Sequence, residues 1–228
     1  MTLPTPAEEL PLVHLVRPAR VAPPEGQRPP LLSLAHGVGS NERDLFSFAD
    51  ELDPRFVVVS ARAPLTRGPE SYAWFTVQFL PQGFAIAPEQ LDASRTAYAA
   101  FVTAAARAYN ADPARIYTLG FSQGAIISLV TALSHPKLFA GVIAMSGRIT
   151  PEAVPWIASP DETAGMPVFV SHGVMDQVIG IDHARAAKTI LERQRVNLSY
   201  HEYPAAHTIS PAMFRDMTAW VQERLATA

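Results

Sequence analysis

The sequence predicts an α/β protein with a mostly parallel central sheet and helices on both faces. Three observations carry this. First, short runs of apolar and β-branched residues recur at 31–35, 56–60, 141–146 and 167–171. Their polar positions are too few to alternate, as expected of strands covered on both sides. Second, helix-length stretches lie between these runs, the longest being the alanine-rich segment from Glu89 to Asn110. Alternating strand and helix is the signature of crossover connections. Third, the run Arg115 to Leu119 passes into Gly120-Phe121-Ser122-Gln123-Gly124 and at once into a helix-forming stretch, Ala125 to Leu133. A strand turning sharply into a helix with serine at the apex is the context a nucleophile elbow requires. A serine N-cap would account for the hydroxyl but not for both glycines.

Composition narrows the function. The chain has 228 residues, 48% hydrophobic and 17% charged, so it can bury a core and fits one domain over 1–228. Net charge is −3 with both signs interleaved and no Lys/Arg block, which argues against a nucleic-acid partner. Cysteine is absent, which removes disulfides, thiolate metal sites and a cysteine nucleophile together. The start, Met1 to Glu9, has neither the basic nor the apolar region of a signal peptide, and no apolar run approaches a membrane span. A cytoplasmic protein without stable membrane insertion is the expectation. Nothing fixes its oligomeric state.

Taken in order, residues 1–30 supply an edge strand at 13–17 and a proline-rich connection. Leu31 to Ala35 is the first buried strand and ends in His36-Gly37-Val38-Gly39. Asn41 to Leu52 reads as a helix with Leu45, Phe46 and Phe48 or Ala49 inward, and Phe56 to Ser60 as a central strand. Residues 63–88 carry Tyr72, Trp74, Phe75, Phe79, Leu80 and Phe84 among glycines and prolines. Such a segment either folds back as a core flap or walls an acyl pocket; its place after a strand end favours the pocket, with Trp74, Phe75 and Phe79 against substrate. After the elbow helix come strands at 141–146, 167–171 and 198–203, a loop at 148–166, and helices at 183–195 and 211–226.

A serine hydroxyl needs a base to take its proton, and the base needs an orienting carboxylate. Of the histidines after Ser122, His135 closes a helix, His183 sits on a helix and His201 within a strand. His172 precedes the acid candidates, the wrong order for Ser-acid-His. His207, in a loop after the last strand, is the expected base. Asp176 lies just past a strand end and is the expected acid; Asp182 reads as an N-cap and Asp161 as solvated. The oxyanion would be met by the backbone N–H groups of Gln123 and Val38, with little demand on either side chain. No metal or organic cofactor is called for. A zinc site from His36, His172 and His207 has no ligand-like spacing behind it.

Leu-Gly-Phe-Ser-Gln-Gly at 119–124, His-Gly-Val-Gly at 36–39 and Ser-His-Gly-Val-Met-Asp-Gln-Val-Ile at 171–179 together resemble the phospholipase/carboxylesterase family. These are small α/β-hydrolases akin to acyl-protein thioesterases. Trp74-Phe75 is similar to the family's Trp-Phe pair, and the likeness runs from about Leu31 to Trp220. The resemblance implies the α/β-hydrolase fold, with Ser122 as nucleophile, Asp176 as acid, His207 as base, and Val38 and Gln123 as oxyanion donors. Two departures bear on the substrate: Ala205-Ala206-His207 replaces a Gly-x-His, and Ser40 stands where an acid is common.

The expected activity is hydrolysis of short- to medium-chain acyl esters or thioesters through an acyl-serine. Two other readings remain: an acyltransferase on the same triad, and a non-catalytic small-molecule-binding scaffold.

Overall fold

The computed structural model describes residues 10–80 and 83–226. Three strands come first: β1 (His14–Arg17), β2 (Leu31–Ala35) and β3 (Val57–Ala61), with the short helix α1 (Arg43–Phe46) between the last two. Two hairpins follow, β4 (Leu65–Gly68) with β5 (Ser71–Ala73), and β6 (Val77–Leu80) with β7 (Gly83–Ile86). Then come α2 (Pro88–Ala108), β8 (Ile116–Phe121), α3 (Gln123–Ser134) and β9 (Gly141–Met145). A 3₁₀ turn at Pro151–Trp156 and α4 (Pro160–Thr163) lead to β10 (Pro167–Gly173), α5 (Ile181–Arg193), β11 (Asn197–Tyr203) and α6 (Pro211–Ala226).

Among the described residues the main sheet has seven strands in the order β1-β3-β2-β8-β9-β10-β11. Every pairing is parallel except β1 with β3. This is the α/β-hydrolase arrangement, and the alternation of strand and helix explains it: each parallel step needs a crossover, and the crossovers become the covering layers. Every residue of β2, β3 and β9 is buried. Side chains along β2 alternate between layers, Leu31 and Ala35 packing with α2, α3 and α5, Leu32 and Leu34 with α1 and α6. Among the described residues no helix is long and apolar enough to cross a membrane.

Because β2, β8 and β10 all point the same way, the loops leaving their C-terminal ends meet at one edge of the sheet. The loop after β11 joins them there. Open parallel sheets bind ligands at that edge.

Two expectations are corrected. The helix expected over Asn41 to Leu52 shrinks to α1, because beyond Phe46 the backbone bonds tighten to three-residue spacing: Phe48 N–H to Leu45 O, Ala49 N–H to Phe46 O, Glu51 N–H to Phe48 O. Leu45, Ala49 and Leu52 are buried, whereas Phe46 and Phe48 are only half-buried. The aromatic segment 63–88 is two hairpins that serve as both core and wall. Ala73, Trp74 and Phe75 join the core, and Ile86 closes over it.

Under α2 lies a buried polar chain. The Tyr98 hydroxyl is 2.8 Å from Ser33 Oγ and 2.8 Å from Thr118 Oγ1, which is 2.9 Å from Ser128 Oγ. Burial raises the Tyr98 pKa, with the hydroxyl contacts opposing, so the phenol stays protonated and available to donate. Tyr98→Phe strands Ser33 Oγ in the core. The expected loss is about 1–3 kcal/mol of unfolding free energy by urea titration; an unchanged midpoint would show the chain to be dispensable.

Candidate active site

Close packing fixes the turn that carries Ser122. A Cβ on Gly120 would sit 2.2 Å from Gly124 O, and one on Gly124 would sit 1.9 Å from Ala35 O. Only glycine lets α3 start this close to β2 and β8. The cost falls on Ser122, held at φ 55°, ψ −118°, a sparsely populated conformation for a residue with a side chain. Its N–H is tied to Met145 O at 2.9 Å, and its hydroxyl faces the sheet edge at the N-terminus of α3.

The loops after β10 and β11 bring two groups to that hydroxyl. His207 Nε2 lies 2.9 Å from Ser122 Oγ, and His207 Nδ1 lies 2.6 Å from Asp176 Oδ2. With Nδ1 donating to the carboxylate, Nε2 presents its lone pair to the serine. Asp176 Oδ1 accepts the N–H groups of Val178 and Ile179 at 2.8 and 2.9 Å. Burial pushes the Asp176 carboxyl up, but the hydrogen bonds from His207, Ile179 and Val178 outweigh it and hold the acid below its ordinary range. The two loops are also laced together: Val174 N–H donates to Tyr203 O, and Met175 N–H to Ala205 O. A Cβ on Gly173 would lie 2.2 Å from Ala205 O, so the base loop can lie on the acid loop only across a glycine. Of the Ala205-Ala206 departure, Ala205 is buried with Tyr203 and Met213 in the core under α6.

His172, set aside on order alone, is fully buried behind the acid. Its Nε2 donates to Ile179 O at 2.7 Å and stands 3.3 Å from Asp176 Oδ2. It therefore braces the turn whose N–H groups hold the carboxylate. The sequence signal was its place four residues before Asp176.

The other half of the site hangs on Gln123. The side chain of Gln123 is buried; its Oε1 accepts Trp74 N–H and its Nε2 donates to Phe75 O, both at 2.7 Å. Trp74 Nε1 donates to His36 O at 3.0 Å, and Ser94 Oγ bonds Trp74 O. The expectation that side-chain identity at Gln123 matters little is thus corrected: the amide pins the hairpin segment to the start of α3. Trp74 is corrected as well. It is fully buried, packs edge-on against Tyr98, and does not line the cavity beside Ser122. Phe75 does line it; the side chain of Phe79 lies outside the described residues.

The His36-to-Gly39 loop is shaped from within. His36 Nδ1 donates to Gly37 O at 2.7 Å, and His36 Nε2 accepts Ala63 N–H at 3.0 Å. Accepting at Nε2 while donating at Nδ1 requires neutral imidazole, and burial lowers the His36 pKa, with Gly37 O opposing. Gly39 N–H to Tyr72 O and Tyr72 N–H to Ser40 O tie the loop to β5. Beside it the buried Glu42 pairs with Arg62 through two bonds of 2.6 and 2.7 Å. Val38 and Gln123 both border the cavity that holds Ser122. Gln123 opens α3, so its N–H lies ahead of the helix's own ladder.

That cavity measures about 420 Å³ and is walled by Phe75, Val77, Ile86 and Ile126. Arg67, Arg148 and Gln177 also border it, and none of the three was singled out from sequence. A larger groove of about 650 Å³ beside α2 and the 135–138 turn holds none of these groups. The remaining candidates lie apart. Asp182 falls inside the first turn of α5, with Gly180 as cap, and Asp161 pairs with Arg195 at the surface. His201 lies over Phe169, and His135 caps carbonyls at the end of α3. Among the described residues no three His, Asp or Glu gather as a metal would need.

Comparison with known proteins bears on the family and the fold. The family model described as Phospholipase/Carboxylesterase matches residues 17–225. Esterase YpfH of Escherichia coli is 30% identical over 175 residues, 75% of this chain and 72% of that one. Acyl-protein thioesterase 1 of Eremothecium gossypii is 34% identical over 117 residues, 49% of this chain and 48% of that one. The chain likewise spans about half the length of Arabidopsis thaliana carboxylesterase relatives. Among solved structures, esterase PE8 superposes with a TM-score of 0.78 at 27% identity, covering 93% of this chain and 98% of that one.

Two measurements check this reading. Gln123→Leu leaves Trp74 N–H and Phe75 O unpaired and should cost about 1–3 kcal/mol in urea unfolding. For His36 the sign follows from its depressed pKa. The unfolded chain takes up the proton below the ordinary value of 6.5, so the stabilising contribution is complete above that pH and is lost as pH falls toward the folded pKa. Unfolding free energy should therefore decline on going from pH 7 to about pH 5, and His36→Asn should flatten that decline. Equal slopes in the two proteins would remove His36 from the account.

Proposed function

The chain belongs to the phospholipase/carboxylesterase family, and on that premise we propose that it is a serine hydrolase of short- to medium-chain carboxylic esters or thioesters. The observation that carries this is the unbroken relay of 2.9 and 2.6 Å from Ser122 through His207 to Asp176. Ser122 is the nucleophile, His207 the base, Asp176 the acid, and Val38 and Gln123 the oxyanion donors.

The chemistry runs in two halves. Ser122 Oγ attacks the carbonyl carbon while His207 Nε2 takes its proton. Asp176 stays ionised, keeps the imidazole in the required tautomer and stabilises the imidazolium. The backbone N–H groups of Val38 and Gln123 meet the oxyanion, where preorganised donors contribute most. As the tetrahedral species collapses, the carbon–oxygen or carbon–sulfur bond to the leaving group breaks. The leaving alcohol or thiol departs with the proton from His207, and Ser122 remains acylated. A water molecule then gives a proton to His207 and attacks the acyl carbon; Ser122 recovers its proton as the acid leaves. Acyl length follows from the cavity, whose apolar wall and size suit a short or medium chain. We read 1–228 as one domain acting in the cytoplasm on a small dispersed ester.

Burst kinetics with p-nitrophenyl butyrate and octanoate test the proposal. Wild type should release a burst stoichiometric with enzyme, and Ser122→Ala none. Asp176→Asn should lower kcat by about 10⁴-fold through loss of the correct tautomer. His207→Ala should halt acylation at neutral pH. Near-wild-type turnover in Asp176→Asn together with a crippled Asp182→Asn would reassign the acid.

A further inference from the structure

The cavity beside Ser122 is apolar along one wall, yet two arginines border it and no Asp or Glu does among the described residues. The chain as a whole carries a net charge of −3, so these cations are not part of a generally basic surface. They also stand at different depths. Arg67, on β4, is exposed at the rim. Arg148, just beyond β9, is only 7% exposed. Burial lowers the Arg148 pKa to about 10, with the nearby Glu152 opposing, so the guanidinium is still a cation at neutral pH. The charge is thus largely withdrawn from solvent while it borders the cavity. Gln177 adds an uncharged amide to the same lining.

We propose that the ester accepted at this site carries an anionic group of the carboxylate or phosphate class, held by Arg148 and Arg67 while its carbonyl lies at Ser122. Guanidinium presents a planar fork that matches either anion, and such charge-assisted bonds strengthen where water is sparse. The apolar wall then takes the methylene portion between carbonyl and anion. This rests on the serine-hydrolase reading and names the substrate class for it. A purely structural Arg148, attracted by Glu152 within the 148–156 segment, would give no dependence on substrate charge.

Matched substrates test it. Mono-p-nitrophenyl adipate is compared with p-nitrophenyl hexanoate for an anion on the acyl side, and 4-acetoxybenzoate with phenyl acetate for one on the leaving group, each corrected for spontaneous hydrolysis. In one of the two pairs the charged ester should have the higher kcat/KM by at least about fivefold at low salt. That advantage should shrink toward unity in about 0.5 M salt. Arg148→Met and Arg67→Gln should each lower the ratio, and Arg148→Lys should keep part of it. Should Arg148→Met fail to fold, the exposed Arg67→Gln and the salt series still decide. Ratios at or below unity in both pairs overturn the proposal while leaving the hydrolase reading intact. Failure to turn over any of the four esters, charged or neutral, counts against the hydrolase reading instead. In that case, calorimetric titration of Ser122→Ala with methyl hydrogen adipate and with dimethyl adipate decides the proposal separately. It stands only if the monoanion binds the more tightly.

Discussion

The contact on which this molecule depends is the approach of α3 to the strands beneath it. With backbone oxygens about where two Cβ atoms would stand, Gly120 and Gly124 let the first turn of the helix rest on Ala35 and on its own strand. Everything at the site is measured from that contact. It sets the strained backbone of Ser122, it aims the start of α3 at the sheet edge, and it brings the end of β2 alongside, so that the His36-to-Gly39 loop and Gln123 border one cavity. A single methyl group in this place would separate helix from sheet, and the separation would be felt in the site before the core.

Around that fixed point the protein uses buried polar groups as struts. Gln123, His36 and Trp74 form one set, each satisfying a backbone group that a loop of this shape would otherwise leave unpaired. His172 and the Val178 and Ile179 amides form another, the amides holding Asp176 Oδ1 while His207 bonds Oδ2 and His172 braces the turn through Ile179 O. These side chains do not touch a reacting atom. They turn flexible connections into surfaces whose donors and acceptors point the right way in advance, which is what electrostatic preorganisation demands.

What could be read from the sequence follows the reach of each interaction. The elbow was legible because its glycines, serine and flanking strand and helix lie within a dozen residues, and chain order among Ser122, Asp176 and His207 singled out the groups that the structure brings together. The strands were legible because burial on both faces leaves a plain apolar run. The struts were not. Gln123 meets Trp74 across 49 residues, and a glutamine beside a serine carries no mark of that partner. Trp74 was misplaced for the same reason: an aromatic in a loop reads equally as wall or core, and only its bonds to His36 and Gln123 decide for the core. The 41–52 helix failed on local grounds, since apolar spacing does not distinguish α from 3₁₀ turns.

One further consequence lies in where the triad's members are mounted. Ser122 leaves β8, at the middle of the sheet, whereas His207 follows β11, the last strand in the order, bonded on one side only and half-exposed along most of its length. Nucleophile and base therefore sit on ground of different firmness. Fraying begins at margins, and a margin that peels away here takes the imidazole with it while the serine stays seated in its elbow. The molecule is built to fall silent before it falls apart, its base carried past an edge strand and its nucleophile by a central one.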